Sequence, residues 1–161
     1  MKKTAVFLFW YLFFLLQHSS AQRIPMIHAN QLTNWKASVS DTIYVINFWA
    51  TWCKPCVEEI PVFVKLFKNY SDPKIKIILV SNDFKKHIQT HLVPFVRANN
   101  IASNVVFMDE PNPNDWIELV DPNWSGAIPA TIVIKGSIGF SEFHEGVLSY
   151  KELEAILNKI K

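Results

Sequence analysis

Apolar and polar positions along the chain alternate between two periods, and the switches between them define the elements. Thr42 to Trp49 contains the run Val45-Ile46-Asn47-Phe48-Trp49, nearly continuous in apolar residues with β-branched entries, which predicts a strand covered on both faces. Beyond it Ile60, Phe63, Val64 and Phe67 recur at i, i+3, i+4 and i+7, the apolar stripe of a helix over Pro55 to Tyr70 that stops near Ser71-Asp72-Pro73. Pro61 lies inside that helix and predicts either a kink or a restart. Lys76 to Ser81 reads as another strand, and Phe84 to Ala98 as a helix with Ile88, Leu92, Phe95 and Val96 on one side. Before the central strand, Arg23 to His28 reads as a short strand and Asn30 to Val39 as a helix burying Leu32, Trp35 and Val39.

Downstream, Val105 to Met108 is a short strand, followed by the polar loop Asp109 to Asp115 and a short helix over Trp116 to Val120. Thr131 to Lys135 and Ser141 to Glu145, separated by a turn with Gly136 and Gly139, read as a hairpin. Ser149-Tyr150-Lys151-Glu152 has the form of a capping box, opening a helix that buries Leu153, Ile156, Leu157 and Ile160. Strands alternating with helices place the chain in the α/β class, with a mostly parallel sheet and helices on both faces.

The amino terminus belongs to a different pattern. Lys2 and Lys3 precede an apolar run from Ala5 to Leu16, and Gln17-His18-Ser19-Ser20-Ala21 follows with small residues at the two cleavage positions. This is the form of a secretory signal peptide over residues 1–21, leaving one domain over 22–161. The rival is a retained membrane anchor, but the apolar run falls short of the roughly 20 residues that span a bilayer. No cysteine follows the run to carry a lipid. Of 16 basic residues against 14 acidic ones, two are Lys2 and Lys3, so the remainder is balanced and nothing steers it to nucleic acid. A domain of about 140 residues buries roughly 68 to 70% of its unfolded surface and needs no disulfide to do so.

The two cysteines are therefore free for chemistry. Trp52-Cys53-Lys54-Pro55-Cys56 places them three positions apart, between the buried strand and the helix. In that order the free N–H groups and positive dipole end of the helix face Cys53, where a thiolate is stabilised. As a staple the pair is weak: a loop of about four residues contributes about 2 kcal/mol, against about 4.7 for a loop of 100. As half of a zinc site it needs two imidazoles from His28, His87, His91 and His144. His87 and His91 sit at i, i+4, but Lys85, Lys86 and Gln89 around them mark a solvated face. Reversible redox chemistry remains as the leading reading, and in an oxidising compartment a reductant must be resupplied with electrons.

The run Asn47-Phe48-Trp49-Ala50-Thr51-Trp52-Cys53-Lys54-Pro55-Cys56, with Glu59 and Pro61 after it and Ile128-Pro129-Ala130-Thr131 further on, resembles the thioredoxin superfamily, and within it the TlpA/ResA-like secreted thiol-disulfide oxidoreductases. The resemblance covers nearly all of the chain from about Ala29. It implies a thioredoxin-like fold, a central mixed sheet flanked by helices on both faces. It also implies a cis proline at Pro129 facing the disulfide, with Ile128 pairing its backbone with a bound partner. Cys53 would attack and Cys56 resolve. Pro55 and Ile128 resemble reducing members, while Lys54 argues mildly the other way. The partners implied are oxidised secreted or periplasmic proteins, among them apocytochrome c, and a membrane thiol electron donor. The chain is expected to be a monomer without metal or other cofactor.

Asn47 occupies the place where thioredoxin itself has a buried acid, and Asn cannot titrate near neutral pH. Glu59, on the Cys56 side of the helix, is the candidate to take over proton transfer; the alternative is an ordinary helix-start acid like Glu58 beside it. Trp52 and Trp124 are candidates for an apolar contact surface or for packing. Two departures from the family stand out: a segment before the central strand too short for an amino-terminal hairpin, and the proline-rich loop from Asp109 to Asn114. Two other functions stay open, a thioredoxin-fold copper or zinc binding protein without turnover and a disulfide oxidase or isomerase.

Overall fold

In the strand β2 (Ile43–Trp49), Val45 and Trp49 point to one side and Ile46 and Phe48 to the other, and all four are buried. A strand apolar on both faces must be covered twice, and this requirement sets the layers. The computed structural model describes residues 23–70 and 74–160. The signal peptide expected over residues 1–21 and the helix stop at Ser71-Asp72-Pro73 lie outside them.

Around β2 the described residues form a six-stranded mixed sheet of β1 (Met26–Ile27), β3 (Ile75–Ser81), β4 (Val105–Met108), β5 (Ala130–Lys135) and β6 (Phe140–Glu145) in the order β1-β4-β3-β2-β5-β6. The first four run parallel, while β5 and β6 are antiparallel to their neighbours. On one face α2 (Lys54–Asn69), α3 (Val93–Ala98) and α5 (Tyr150–Asn158) cover Val45, Trp49, Leu79, Phe107 and Val133 through Ile60, Phe63, Leu66, Val96, Leu153 and Leu157. The other face carries α1 (Ala29–Lys36) and α4 (Ile117–Val120), with Leu32, Trp35, Val120 and the indoles of Trp116 and Trp124 against Ile46, Phe48 and Ile132.

Three details differ from the periodicity. α1 ends at Lys36, and Val39 is 90% exposed rather than buried. The helix expected over Phe84 to Ala98 is divided into a 3-10 turn (Lys85–His87), a π-turn (Ile88–Leu92) and α3. Pro94 explains the division, because it has no N–H for the carbonyl one turn back and the ladder there must change its spacing. The restart that was one of the two expectations at Pro61 is absent, since α2 runs through it as one helix. The hairpin and the capping box are present, with Gly139 in the left-handed region (φ 66°) closing the turn before β6.

The topology places the chemistry. Phe48 near the carboxyl end of β2 pairs with Ala130 at the start of β5, so the chain entering β5 meets the turn leaving β2 at one edge of the sheet. Ser81 and Met108, the last residues of β3 and β4, end on the same edge.

The core on the α2 side should dominate stability. Phe63→Ala is expected to cost about 3 to 5 kcal/mol in urea unfolding of the oxidised protein, whereas Val39→Ala should stay within about 0.5.

Candidate active site

After β2 the chain turns on Cys53 N–H, which donates to the Ala50 carbonyl at 3.2 Å, and α2 begins at Lys54. Cys53 is the N-cap of α2, and its Sγ accepts the Cys56 N–H at 3.3 Å. The two sulfurs form a disulfide with their Cα atoms 5.3 Å apart. They are unequal. Cys53 keeps 6% of its surface exposed and Cys56 1%.

Across from the disulfide the Ile128–Pro129 bond is cis, and the Ile128 carbonyl oxygen lies 3.6 Å from Cys53 Sγ. Pro129 accepts the Gly146 N–H, which ties the loop to the chain leaving β6. The cis-proline loop and the first turn of α2 therefore meet at Cys53 Sγ.

Beneath them is a buried polar cluster. Asn47 and Thr131 pair across β2 and β5, and Asn47 Nδ2 donates to Thr131 Oγ1 at 3.0 Å and to Glu59 Oε2 at 3.0 Å. Glu59 Oε1 accepts the backbone N–H of Leu148, so one carboxylate joins α2, β2 and the segment before α5. Glu59 is 1% exposed, and burial pushes its carboxyl up to about 7 against the pull of the Leu148 and Asn47 hydrogen bonds. Glu58 is exposed and lies 3.9 Å from Lys54 in an i, i+4 ion pair, so the two acids that look alike in the sequence have opposite surroundings. Lys54 itself projects into solvent.

The two tryptophans separate as well. Trp52 is 57% exposed and stacks on Phe84 with ring centroids 6.2 Å apart, whereas Trp124 is buried against Phe48 and Trp116. His87 and His91 lie with centroids 4.7 Å apart, and among the described residues no group of three or more His, Cys, Asp or Glu is placed to hold a metal.

One site residue escaped the sequence. Asp83 is buried just beyond β3 and accepts the Thr51 N–H at 3.1 Å, the Thr51 hydroxyl, and the Ser81 hydroxyl at 2.8 Å. It holds the turn two residues before Cys53. The only signal for it is a polar Ser81-Asn82-Asp83 run at the carboxyl end of a parallel strand.

Comparison with known proteins agrees with this arrangement. The model of the AhpC/TSA family matches residues 22–138, and the chain belongs to that family. The thioredoxin-like protein YneN of Bacillus subtilis (strain 168) is 26% identical over 140 residues, 85% of this chain and 78% of the relative. The thiol-disulfide oxidoreductase ResA of Oceanobacillus iheyensis is 31% identical over 117 residues, 72% of this chain but 56% of its own length, so this chain spans little more than half of that relative. Among solved structures, a thioredoxin-related protein from Neisseria meningitidis serogroup B superposes with a TM-score of 0.65 at 20% identity, covering 76% of this chain and 87% of that one. A thioredoxin-family thiol:disulfide interchange protein from Chlorobium tepidum TLS gives 0.61 at 25%, covering 78% and 83%. The fold is thioredoxin-like, and the site is that of a thiol-disulfide oxidoreductase.

The Glu59 surroundings carry a pH signature. A carboxyl whose pKa rises on folding favours the native state while protonated; that stability is complete below about 4.5 and is lost as pH rises through about 7. The unfolding free energy of the oxidised protein should therefore fall by up to roughly 3 kcal/mol between pH 4.5 and 8. Denaturant titrations at fixed pH should show this fall flattened in Glu59→Gln.

Proposed function

We propose that this oxidoreductase works in the reducing direction on disulfides of secreted or periplasmic proteins. The observation that carries the reading is the asymmetry of the pair: Cys53 caps α2 beside the Ile128 carbonyl, and Cys56 lies behind it. In the reduced protein the Cys56 N–H and the helix start favour a Cys53 thiolate. That thiolate attacks one sulfur of the substrate disulfide, forming a mixed disulfide and releasing the other sulfur as a thiolate that takes up a proton. Cys56, deprotonated in turn, attacks Cys53 Sγ and expels the second substrate sulfur. The substrate gains two electrons and two protons, and the protein is left with the Cys53–Cys56 bond.

The extended segment of the substrate is held along Ile128 and Pro129. Resupply is by a thiol donor at a membrane, through the same exchange run backwards. Apocytochrome c is among the substrates the family resemblance suggests. The leader over residues 1–21 directs export of a monomeric domain over 22–161. No helix of the described residues is long and apolar enough to cross a membrane.

Glu59 supplies the proton acceptor for Cys56. It lies one turn further along α2 on the same side, and its carboxyl titrates near the pH of the reaction, where a general base is most effective. It acts on the resolving step, since a carboxylate beside Cys53 would oppose that thiolate.

Three measurements test the reading. Iodoacetamide should label Cys53 of the reduced protein before Cys56, and Cys56→Ser should accumulate mixed disulfides while Cys53→Ser does not; the reverse order overturns the roles. Equilibration with glutathione should give a potential near −270 mV, and a value near −120 mV would make the protein an oxidant. Glu59→Gln should slow resolution of a preformed mixed disulfide about tenfold or more at pH 7 and flatten its pH profile, with Glu58→Gln close to the parent. Equal small effects from both would leave Glu59 a structural acid.

A further inference from the structure

A cavity of about 590 Å³ opens on the same edge of the sheet as Cys53, between the turn after β3 and the loop from β4 to α4. Its volume falls within the roughly 300 to 1,000 Å³ of ligand pockets. Phe107, Met108 and Trp116 give it apolar walls, and Phe84 forms the lip. Phe84 is 58% exposed and stacked on Trp52, so an aromatic ledge runs from the residue beside Cys53 to the cavity mouth. Two aromatic rings left in water at the edge of a reactive site mark a contact surface.

The charge of the lining bears on what the cavity can hold. Asn82 and Trp116 are among the residues that line it, but the Trp116 indole N–H and Asn82 Oδ1 are turned away from its open space and are buried. The charge is one-sided. The lining holds three acids, Asp83, Asp109 and Glu110, against one lysine, Lys85, in a chain whose formal net charge is +2. Lys85 is already paired with Asp109 at 2.7 Å, and Glu110 accepts the Ala29 N–H at 3.0 Å with His28 at 3.4 Å. An anionic ligand is repelled there, and a cationic one is favoured.

We propose that this cavity is a second recognition site for the substrate polypeptide, taking an extended segment with an aromatic side chain flanked by lysine or arginine. The identity of the occupant as a substrate rests on the reducing reading above; the preference for a basic aromatic peptide does not. Cys53 follows β2, and the cavity follows β4, two strands away. At a spacing of about 4.8 Å per strand that is about 10 Å, the reach of about three extended residues. The aromatic residue therefore lies about three positions from the substrate cysteine. Proteins with that spacing are reduced faster than disulfides of the same potential without it.

The test uses the oxidised protein and two cysteine-free peptides, acetyl-Gly-Lys-Phe-Lys-Gly-amide and its counterpart with glutamate in place of both lysines. In a nitrogen-15 spectrum the Trp116 indole signal, assigned by its loss in Trp116→Phe, should shift saturably with the lysine peptide. The glutamate peptide should bind about tenfold more weakly, with the gap narrowing as salt is added. Phe84→Ser should weaken the lysine peptide about tenfold, and Asp109→Asn combined with Glu110→Gln should reduce the preference between the peptides. An unmoved Trp116 signal, shifts confined to the neighbourhood of Ile128 and Cys53, or equal binding of both peptides overturns the proposal. A Trp116 response in a protein that fails to reduce a disulfide-linked form of the lysine peptide would sink the reducing reading and leave the site standing.

Discussion

A carboxylate buried in an apolar interior must be met by donors or lose its charge, and the arrangement around Glu59 follows from that constraint. The donors available to it are the Leu148 N–H and Asn47 Nδ2, drawn from the segment before α5 and from the middle of β2. Through Asn47 the same cluster reaches Thr131, two residues beyond the cis proline. A helix, two strands and a loop are thus fixed relative to one another by one buried group. The position of Ile128 against Cys53 is a consequence of that register, since β5 can slip against β2 only by separating Thr131 from Asn47.

Asp83 holds the active-site turn from the other side through the Thr51 N–H and hydroxyl. Two buried acids therefore fix the segments on either side of the cysteine pair, Glu59 through Asn47 and Leu148 and Asp83 through Thr51 and Ser81. Negative charge near a thiol opposes its ionisation, whereas the N-cap geometry of Cys53 and the Cys56 N–H favour it. A strong oxidant is one whose reduced form is heavily stabilised as thiolate. The turn that carries Cys53 is held from the β3 side by Asp83 and from the α2 side by its own N-cap geometry.

Elements that pack by simple periodicity were legible in the sequence: the doubly covered β2, the i, i+3, i+4 stripe of α2, and the capping box before α5. The misreadings share a cause, which is that periodicity records which residues can pack and not whether the backbone continues. Val39 matches the face of α1 but falls after the helix has ended, and the stripe from Ile88 to Val96 is kept while Pro94 forces a π-turn beneath it. The cysteine pair and Ile128-Pro129 were legible because their motifs are specific. Partners that are backbone groups or arrive from distant segments were not: nothing in the sequence marks the Leu148 N–H as a ligand of Glu59, or Asp83 as the anchor of Thr51. Trp52 and Trp124 are equivalent as letters, and only the fold separates the exposed ring from the buried one.

The exchange of an acid for Asn47 follows from the same constraint. Asn47 Nδ2 and Glu59 Oε2 are 3.0 Å apart, so an aspartate at position 47 would set two carboxyl groups at hydrogen-bond distance in a site closed to water. Such a pair cannot both ionise, and one would be held protonated across the working pH range. A single acid here is compatible with a single donor opposite it, and the amide provides that donor without titrating. An acid placed at 59 instead of 47 sits on α2, the helix that carries Cys56, and is tied to the sheet through the Asn47 amide. Here the strand supplies the fixed donor, and the helix supplies the carboxyl that burial raises to about 7.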